Sequence, residues 1–344
     1  MARHARPRPG FDYWLSFKGQ GVYNDPEINE NGRVLKEKGY ITDILTDKTI
    51  EFLSKDTETP FCIQLWHKAC HGPFTPAERH KDAAPDGRFA EPASWNIDFS
   101  DRPLWRRRAK AHGGAHYAKW VASEGKPVPD RIPPGKWSET NHTRLNMLRC
   151  LLAVDEGLGK VMAHLEKQGR LDNTVIIFMA DNGYFFGEHR RGDKRLAYEE
   201  SIRVPFAIRY PAILKGGSRI KGMVANIDLA PTILELAGAE IPKTVQGESF
   251  VPVMQGKAEG RTAPFFYEYF QEKYAPGIPT LLSIRTPEWK YIASPPAPAE
   301  HGNGDELYHW SQAPAGVHDL NHFPRAALTV TEVHQLAAAA AKPV

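Results

Sequence analysis

The sequence of 344 residues has little cysteine and no long apolar run, and each lack argues against a class of protein. Its three cysteines, Cys62, Cys70 and Cys150, form no metal-type spacing and do not suggest a disulfide scaffold. No run of about 18 apolar residues occurs, so no membrane-spanning helix is predicted. The start, MARHARPRPG, is basic and rich in proline, but no apolar segment typical of a secretory signal follows it.

An excess of charge of one sign is also lacking. The 44 Lys and Arg residues against 41 Asp and Glu residues give a net charge of +3, which is too small to argue for a nucleic-acid partner. The basic stretch RPLWRRRAKAHGGAHYAKW is interpreted as a solvated loop or as a patch that faces an anionic ligand. With 41% hydrophobic and 25% charged residues, the composition is that of a soluble globular protein.

Several segments have helical periodicity. Residues 41–55 place apolar side chains at helical spacing and predict an amphipathic helix, and residues 143–168 predict a second. Residues 226–238 carry a capping Asp228, a proline near the start and a glycine at the end of a third. A fraying helix is expected in the tail, 329–344. The predicted buried face of the second helix consists of Leu145, Leu148, Leu152, Leu158, Met162 and Leu165.

Short apolar runs predict strands. FCIQLW (61–66), VIIFMA (175–180) and VPFAIRYP (204–211) are three of them, and VIIFMA lacks alternation, which is typical of a strand buried on both faces of a parallel sheet. After about residue 262, FFYEYF, LLSIRT and WKYIAS alternate with Pro and Gly turns and predict a small antiparallel sheet. We therefore expect an α/β protein.

Polar side chains follow two of these strands. FCIQLW is followed by Lys68 and His71, and VIIFMA by Asp181 and Asn182 and then by a charged, glycine-broken loop that ends in Lys194. In open α/β sheets, ligands bind beyond the carboxyl ends of the strands. The two groups therefore predict a single site.

The side chains themselves favour a cation and an anion. Asp181 and Asn182 are hard oxygen donors that suit Ca²⁺ or Mg²⁺, although an Asp-Asn-Gly turn can also satisfy its own backbone. Lys194 offers a fixed positive charge to a tetrahedral anion. His71 could donate a proton to a leaving group or could be an ordinary loop histidine. Lys68 could equally be an anion ligand or a surface lysine.

The long stretch LDNTVIIFMADNGYFFGEHRRGDKRLAYEESIRVPFAIRYP resembles the sulfatases of the alkaline phosphatase superfamily, arylsulfatase A type. The shared features, in this order, are a strand, Asp-Asn-Gly, Gly-Glu-His, a Lys, Tyr-Glu-Glu-Ser and Arg-x-Pro. HKACHGPF resembles the Lys-x-x-His-x-Pro turn of that family. DLAPTILELAGAEIP, VQGESFVPVMQG, TPEWKYI and DELYHW resemble its later segments, so that the resemblance covers roughly residues 10–325.

The resemblance implies a fold and an activity. The fold would be alkaline-phosphatase-like, with a central, mostly parallel sheet flanked by helices in a catalytic domain over residues 1–260. A C-terminal subdomain over residues 261–344 would hold a small antiparallel sheet and a terminal helix. The activity would be hydrolysis of a small-molecule or saccharide sulfate ester, in a periplasmic or extracellular location. The sequence does not predict an oligomeric state.

The resemblance also implies roles for site residues. Asp181 and Asn182 would be two ligands of an active-site Ca²⁺, for which Mg²⁺ is an alternative, and Lys194 would contact the sulfate. His71 would hydrogen-bond the bridging oxygen and assist departure of the leaving group. His189, in Gly-Glu-His, would be a neighbour in the pocket. As a further member of the site, Lys68 matches a residue that is frequent in the family.

The sequence departs from the family at the nucleophile. Sulfatases use a formylglycine made from the Cys or Ser of a C/S-x-P-x-R motif, and none of the three cysteines here lies in one. Ser294 begins Ser-Pro-Pro-Ala-Pro, which lacks the Arg. The early Asp-Asp pair and the Gly-Lys-x-His segment of the family are also absent. The chain therefore resembles a sulfatase without its first hundred-odd residues, and we expect it to have negligible sulfatase activity alone.

Two alternative functions stay open on the sequence. The first is a phosphodiesterase or phosphonate hydrolase of the same superfamily, although Tyr-Glu-Glu-Ser and Gly-Glu-His favour a sulfatase. The second is a non-catalytic remnant that binds anions. The irregular segment 75–140, with its arginines and tryptophans, could shape a pocket for a sulfated sugar or could be a variable surface loop.

Overall fold

The chain divides into two compact units, Met1–Ala90 with Gly135–Thr174 and Glu91–Pro134 with Val175–Val344. The expected terminal helix and most of the irregular segment 75–140 lie outside the described residues. The computed structural model describes residues 8–55, 58–87, 89, 90, 92, 94, 137–261, 263–273, 278–293 and 305–309.

The first unit contains two long helices and a three-stranded antiparallel sheet. Helix α1 (Ile41–Lys55) has the predicted bounds, and the second predicted helix is confirmed as α2 (Trp137–Lys167). Strands β1 (Leu15–Phe17), β2 (Glu27–Glu30) and β3 (Arg33–Lys36) pair in sequence order. Apolar side chains from both helices and all three strands form a single core, because each element has one apolar face to bury.

The buried face of α2 differs from the predicted one. Leu148 and Leu152 are 49% and 40% exposed, whereas the smaller Cys150 and Ala153 are fully buried. A Cβ added at Gly157 would lie 2.4 Å from the hydroxyl of a threonine in α1. The two helices therefore approach each other along a row of small α2 residues, and this close approach turns the larger leucines away from α1.

The segment Phe61–Trp66 is not a strand, although its sequence predicts one. Its exposure alternates with a period of two, as in an extended chain, and Trp66 is 74% exposed. A strand requires a hydrogen-bonded neighbour, and none of the strands in the described part of the chain pairs with this segment. The prediction was wrong because pairing is not a local property.

In the second unit the strand VIIFMA is confirmed as β4 (Ile176–Met179), but its surroundings differ from the prediction. It pairs antiparallel with β7 (Phe206–Arg209), the strand predicted from VPFAIRYP, and these two make up the whole sheet within the described residues. Phe178 and Phe206 are 39% and 36% exposed. The predicted parallel sheet, buried on both faces, is therefore not seen in the described ranges.

A hairpin follows β4, and the C-terminal antiparallel sheet is confirmed. Strands β5 (Phe185–Phe186) and β6 (Gly192–Asp193) form the hairpin. The sheet has one more strand than the sequence predicts and the spatial order β11-β10-β9-β8. Its strands are β8 (Phe265–Tyr269), β9 (Leu281–Arg285), β10 (Trp289–Ala293) and β11 (Glu306–His309).

The helices of this unit are short. The predicted helix at 226–238 is confirmed, but its first residues form a 3₁₀ turn, and the carboxylate of Asp228 accepts hydrogen bonds from Ala225 N and Glu248 N instead of capping the helix. None of the described helices has both the length and the apolar content needed to cross a membrane. The helices are α3 (Glu199–Ile202), α4 (Leu229–Leu236) and α5 (Val251–Met254).

Candidate active site

The Asp-Asn-Gly turn begins two residues after β4. Asp181 Oδ1 accepts a hydrogen bond of 2.9 Å from Asn182 N, and Asn182 Nδ2 donates one of 2.7 Å to Gly183 O. The turn thus satisfies part of its own backbone, as the alternative interpretation expects. Asp181 Oδ2 and Asn182 Oδ1 have no hydrogen-bond partner among the described residues. One hard oxygen on each side chain is therefore available to a cation.

Gly183 fixes this turn against helix α3. Its N–H donates a 2.8 Å hydrogen bond to Ser201 O. A Cβ at this position would lie 2.1 Å from Glu200 O and 2.9 Å from Arg203 O, both backbone atoms. Only glycine fits such a close approach. The position of Asp181 and Asn182 is therefore set by the backbone of α3.

The β5–β6 hairpin folds the loop back so that Lys194 returns to its base. Phe185 pairs with Asp193, so Lys194 follows directly after the last pair of the ladder, on the side where the loop begins. Gly187 and His189 adopt positive φ values of 108° and 53° at the tip, which lets the chain reverse. In the described part of the chain, Lys194 Nζ has no hydrogen bond or ion pair. Its charge is available to an anion.

His189 is buried inside the loop and is 2% exposed. Its N–H donates a 3.1 Å hydrogen bond to Ser94 Oγ, and its ring stacks on Tyr198 with the centroids 4.5 Å apart. Its Nε2 lies 3.4 Å from Glu200 Oε1. Burial of Glu200 disfavours its charge, but the contact with His189, a backbone hydrogen bond and the charge of Lys290 together outweigh burial and hold the pKa of Glu200 below its usual range.

The first unit holds the other predicted site residues on one turn. Lys68 Nζ and His71 Nδ1 lie 3.0 and 3.1 Å from the same atom, Gly72 O. Since a carbonyl oxygen only accepts, Nδ1 of His71 carries the proton of this contact, and the residue is exposed. Lys68 is buried over the ring of Tyr23, whose hydroxyl donates a 2.7 Å hydrogen bond to His71 O. Burial lowers the pKa of Lys68.

The predicted residues thus fall into two groups. The loop of the second unit carries Asp181, Asn182, His189 and Lys194, and the turn of the first unit carries Lys68 and His71. Only the loop follows a strand, because the segment before the turn does not pair. Sequence reasoning missed the contacts that support this loop and the segment directly after it. Ser94 contacts His189 from a distant part of the chain, and Lys290 and Glu306 contact Glu199 and Tyr198. Glu200, in the segment itself, lies beside the imidazole of His189.

The donor set fits a divalent cation in kind but supplies two ligands. Ca²⁺ takes about six to eight oxygens and Mg²⁺ about six. No cluster of three or more His, Cys, Asp or Glu side chains that could hold a metal occurs within the described ranges. Asp181 and Asn182 therefore suit a shared site to which further ligands must contribute.

Comparisons with known proteins identify the family of the chain. The sequence model of the family described as Sulfatase matches residues 2–239, and that described as N-sulphoglucosamine sulphohydrolase, C-terminal, matches residues 187–341. The chain is 34% identical over 331 residues to N-acetylglucosamine-6-O-sulfatase of Bacteroides thetaiotaomicron, covering 82% of this chain and 59% of that protein. It is 31% identical over 255 residues to N-acetylglucosamine-6-sulfatase of Bos taurus, covering 72% and 42%.

A solved structure is also similar. It is that of a protein in complex with its substrate D-glucosamine-2-N,6-O-disulfate, and it matches 97% of this chain and 76% of that chain at 30% identity and a TM-score of 0.78. The chain spans about half the length of the curated relatives it matches. The similarity confirms the α/β, alkaline-phosphatase-like fold class. On these matches, the chain belongs to the sulfatase family.

Proposed function

We propose that this chain carries the metal-binding and leaving-group residues of a hydrolase that cleaves sulfate esters of saccharides. The observation that supports the proposal most is the loop 181–194. Among the described residues, Asp181 Oδ2 and Asn182 Oδ1 accept no hydrogen bond, and Lys194 Nζ makes no ion pair. The names of the relatives favour a 6-O-sulfated glucosamine as substrate class. Because the relatives include extracellular sulfatases, an extracellular or periplasmic location forms part of the proposal.

Asp181 Oδ2 and Asn182 Oδ1 would hold Ca²⁺, or Mg²⁺ in its place. When bound, the cation supplies positive charge for the oxygens of the sulfate group. Lys194 adds a second positive charge from the hairpin base. Because no carboxylate among the described residues pairs with its ammonium group, it breaks no ion pair with them when it binds an anion. The turn places these groups without a ligand, because Gly183 fixes the backbone beforehand.

His71 would protonate the bridging oxygen as the alcohol leaves. Its Nδ1 proton is held by Gly72 O, so the proton must come from Nε2 and the ring must be in its imidazolium form before the step. Lys68 donates to the same carbonyl, and we assign it the role of fixing that carbonyl and hence the ring of His71. His189, with its ring buried, would support the loop from inside.

The nucleophile is not among these residues. No C/S-x-P-x-R motif occurs in the 344 residues, so no formylglycine and no attacking group is assigned to this chain. We expect the purified chain to show negligible turnover of N-acetylglucosamine 6-sulfate, because removing a nucleophile leaves only binding and electrostatic effects. Robust turnover that is abolished by Asp181→Ala would overturn this expectation.

Calorimetric titration in the presence of Ca²⁺ tests the binding part of the proposal. N-acetylglucosamine 6-sulfate should bind to the chain, and Lys194→Met should weaken its binding at least about tenfold, since a charge-assisted contact is lost. The matched control is Lys215→Met, which removes an exposed lysine of the same unit and should leave the affinity unchanged. Tighter binding of a phosphonate monoester would favour the phosphonate hydrolase instead, and an unaffected Lys194→Met variant would contradict the role of Lys194.

A further inference from the structure

A buried carboxylate on the C-terminal sheet contacts the segment that supports the candidate loop. Glu306, on β11, is fully buried. The hydroxyl of Tyr198 lies 2.8 and 2.6 Å from its two carboxylate oxygens, and the hydroxyl of Tyr308 donates to the second of these oxygens. Two tyrosine hydroxyls thus share one buried carboxyl group as their hydrogen-bond partner. Glu306 therefore holds Tyr198 at a defined place.

Tyr198 transmits this position into the loop. Its ring stacks on the imidazole of His189 at an interplanar angle of 25°, and Phe185 of β5 packs edge-on against both rings. His189 Nε2 lies 3.4 Å from Glu200, whose carbonyl is the atom that excludes any side chain at Gly183. A continuous set of contacts therefore runs from Glu306 to the Asp-Asn-Gly turn.

The same sheet contacts the segment at two further points. The carboxylate of Glu199 pairs with Lys290 of β10 and lies 3.3 Å from Arg285 Nε of β9. The hydroxyl of Tyr267, on β8, donates a 3.0 Å hydrogen bond to Arg195 O, next to Lys194. All four strands of the sheet thus contribute a polar contact to residues 195–199. These polar contacts add to the apolar packing of Phe185, which is 1% exposed in the core of the same unit.

We propose that Glu306 is a positioning residue for the loop 181–194, and that it acts through Tyr198 and His189 on the Asp-Asn-Gly turn. The relevance of Glu306 to catalysis rests on the proposed function, in which the loop binds a cation and the sulfate group. The C-terminal sheet is then the platform of the candidate site.

Amide hydrogen exchange under native conditions tests the proposal without any ligand. The probes are the N–H of Gly183, bonded to Ser201 O, and the N–H of His189, bonded to Ser94 Oγ. In Glu306→Ala both amides should exchange at least about tenfold faster, since the loss of its buried hydrogen-bond partner frees Tyr198. The imidazole ¹⁵N signals of His189 should also shift. Glu306→Gln, which keeps one acceptor oxygen, should restore part of the protection.

The matched control is Asp305→Asn. Asp305 accepts a 2.6 Å hydrogen bond from Tyr291 in the same sheet, so this variant perturbs a similar pair without touching Tyr198. It should leave exchange at Gly183 and the His189 signals unchanged. Two results would overturn the proposal. One is that Asp305→Asn speeds exchange of the Gly183 amide as strongly as Glu306→Ala does. The other is that Glu306→Ala speeds exchange in β9 as much as in the loop, which would mean that Glu306 acts on global stability alone.

Should Glu306→Ala fail to fold, Tyr198→Phe decides the matter, because it removes one hydroxyl and keeps the stacked ring. Faster exchange at Gly183 and His189 supports the proposal, and unchanged exchange overturns it. The outcome is independent of the proposed function. A wild-type chain that binds neither Ca²⁺ nor sulfate would contradict the function, while the exchange result would still report whether Glu306 positions the loop.

Discussion

The turn around Lys68 and the loop 181–194 hold their candidate site residues by different means. In the turn, Lys68 and His71 both bond to the carbonyl of Gly72, a neighbour in sequence, and the ring of Tyr23 lies beneath. In the loop, Asp181 and Asn182 also make local bonds, but the segment that supports the loop is held by buried polar contacts with a sheet about a hundred residues away. Hydrogen bonds between sequence neighbours therefore hold the turn, and contacts with a distant part of the chain support the loop.

The largest effect is expected for a substitution at Gly183, where the loop makes its closest contact with α3. Gly183→Ala would place a methyl group 2.1 Å from Glu200 O, so the turn or α3 must move. We expect the free energy of unfolding to fall by about 3 kcal/mol, as for overpacking of a tight site. Urea unfolding measures it. The control is Gly192→Ala in the same hairpin, where nothing lies within 4 Å of the added Cβ. Equal losses in the two variants would contradict the account.

The two buried lysines sharpen the comparison. Burial lowers the pKa of both Lys68 and Lys290, but Lys290 is paired with Glu199, whereas Lys68 bonds to a carbonyl. Lys290→Met should cost about 2 kcal/mol of unfolding free energy, because it leaves a largely buried carboxylate with Arg285 alone. Lys68→Met should cost less than about 1 kcal/mol, since methionine fills the same volume. Denaturant titration that ranks them in reverse would refute this reasoning.

The turn also contains a histidine whose burial makes stability depend on pH. Burial lowers the pKa of His67 to about 4 from its usual value of 6.5. Between these values the unfolded chain binds more protons, so this contribution to stability is complete above about pH 6.5 and is lost as the pH falls towards 4. We expect this group to change the free energy of unfolding by up to about 2 kcal/mol across this pH range, because solvent partly screens its half-buried ring. His67→Phe should remove that part of the slope in unfolding curves between pH 4 and 7, and an unchanged slope would exclude the buried imidazole as its source.

The smallest expected effect concerns the support of His71. Tyr23→Phe removes the hydroxyl that donates to His71 O and keeps the ring beneath Lys68 and its stack on Tyr40. Losing one such hydrogen bond should lower the free energy of unfolding by about 1 kcal/mol. Thermal unfolding measures it. A loss as large as that of Gly183→Ala would mean that the turn also depends on a wider network.

The sequence predicts what is local in this protein. The bounds of α1 and the strand β4 follow from hydrophobic periodicity and from a β-branched run, and Asp181 and Asn182 stand out because a charged, glycine-broken loop follows an apolar strand. The exposure of Leu148 could not be predicted, because it depends on the close approach of α2 to α1 at Gly157.

What could not be predicted is long-range in each case. FCIQLW has the composition of a strand, yet its pairing depends on a partner that no local pattern names. Tyr198 and Glu306 lie 108 residues apart, and the segment DELYHW shows an acidic residue at the start of a strand without any sign that it is fully buried. One weak signal was present. In β11 the alternation of the strand places Glu306 on the same face as Tyr308, and a carboxyl group on a buried face needs a hydrogen-bond partner.

Calorimetric titration of the purified chain with Ca²⁺, with and without sulfate, tests the central claim most directly. If the loop 181–194 binds cation and anion together, Ca²⁺ should bind, sulfate should tighten its binding, and Ca²⁺ should tighten sulfate binding by the same factor. Asp181→Ala should abolish both effects, and Lys194→Met should abolish the coupling while Ca²⁺ still binds. No Ca²⁺ binding by the wild-type chain, or binding that Asp181→Ala leaves unchanged, would contradict the account.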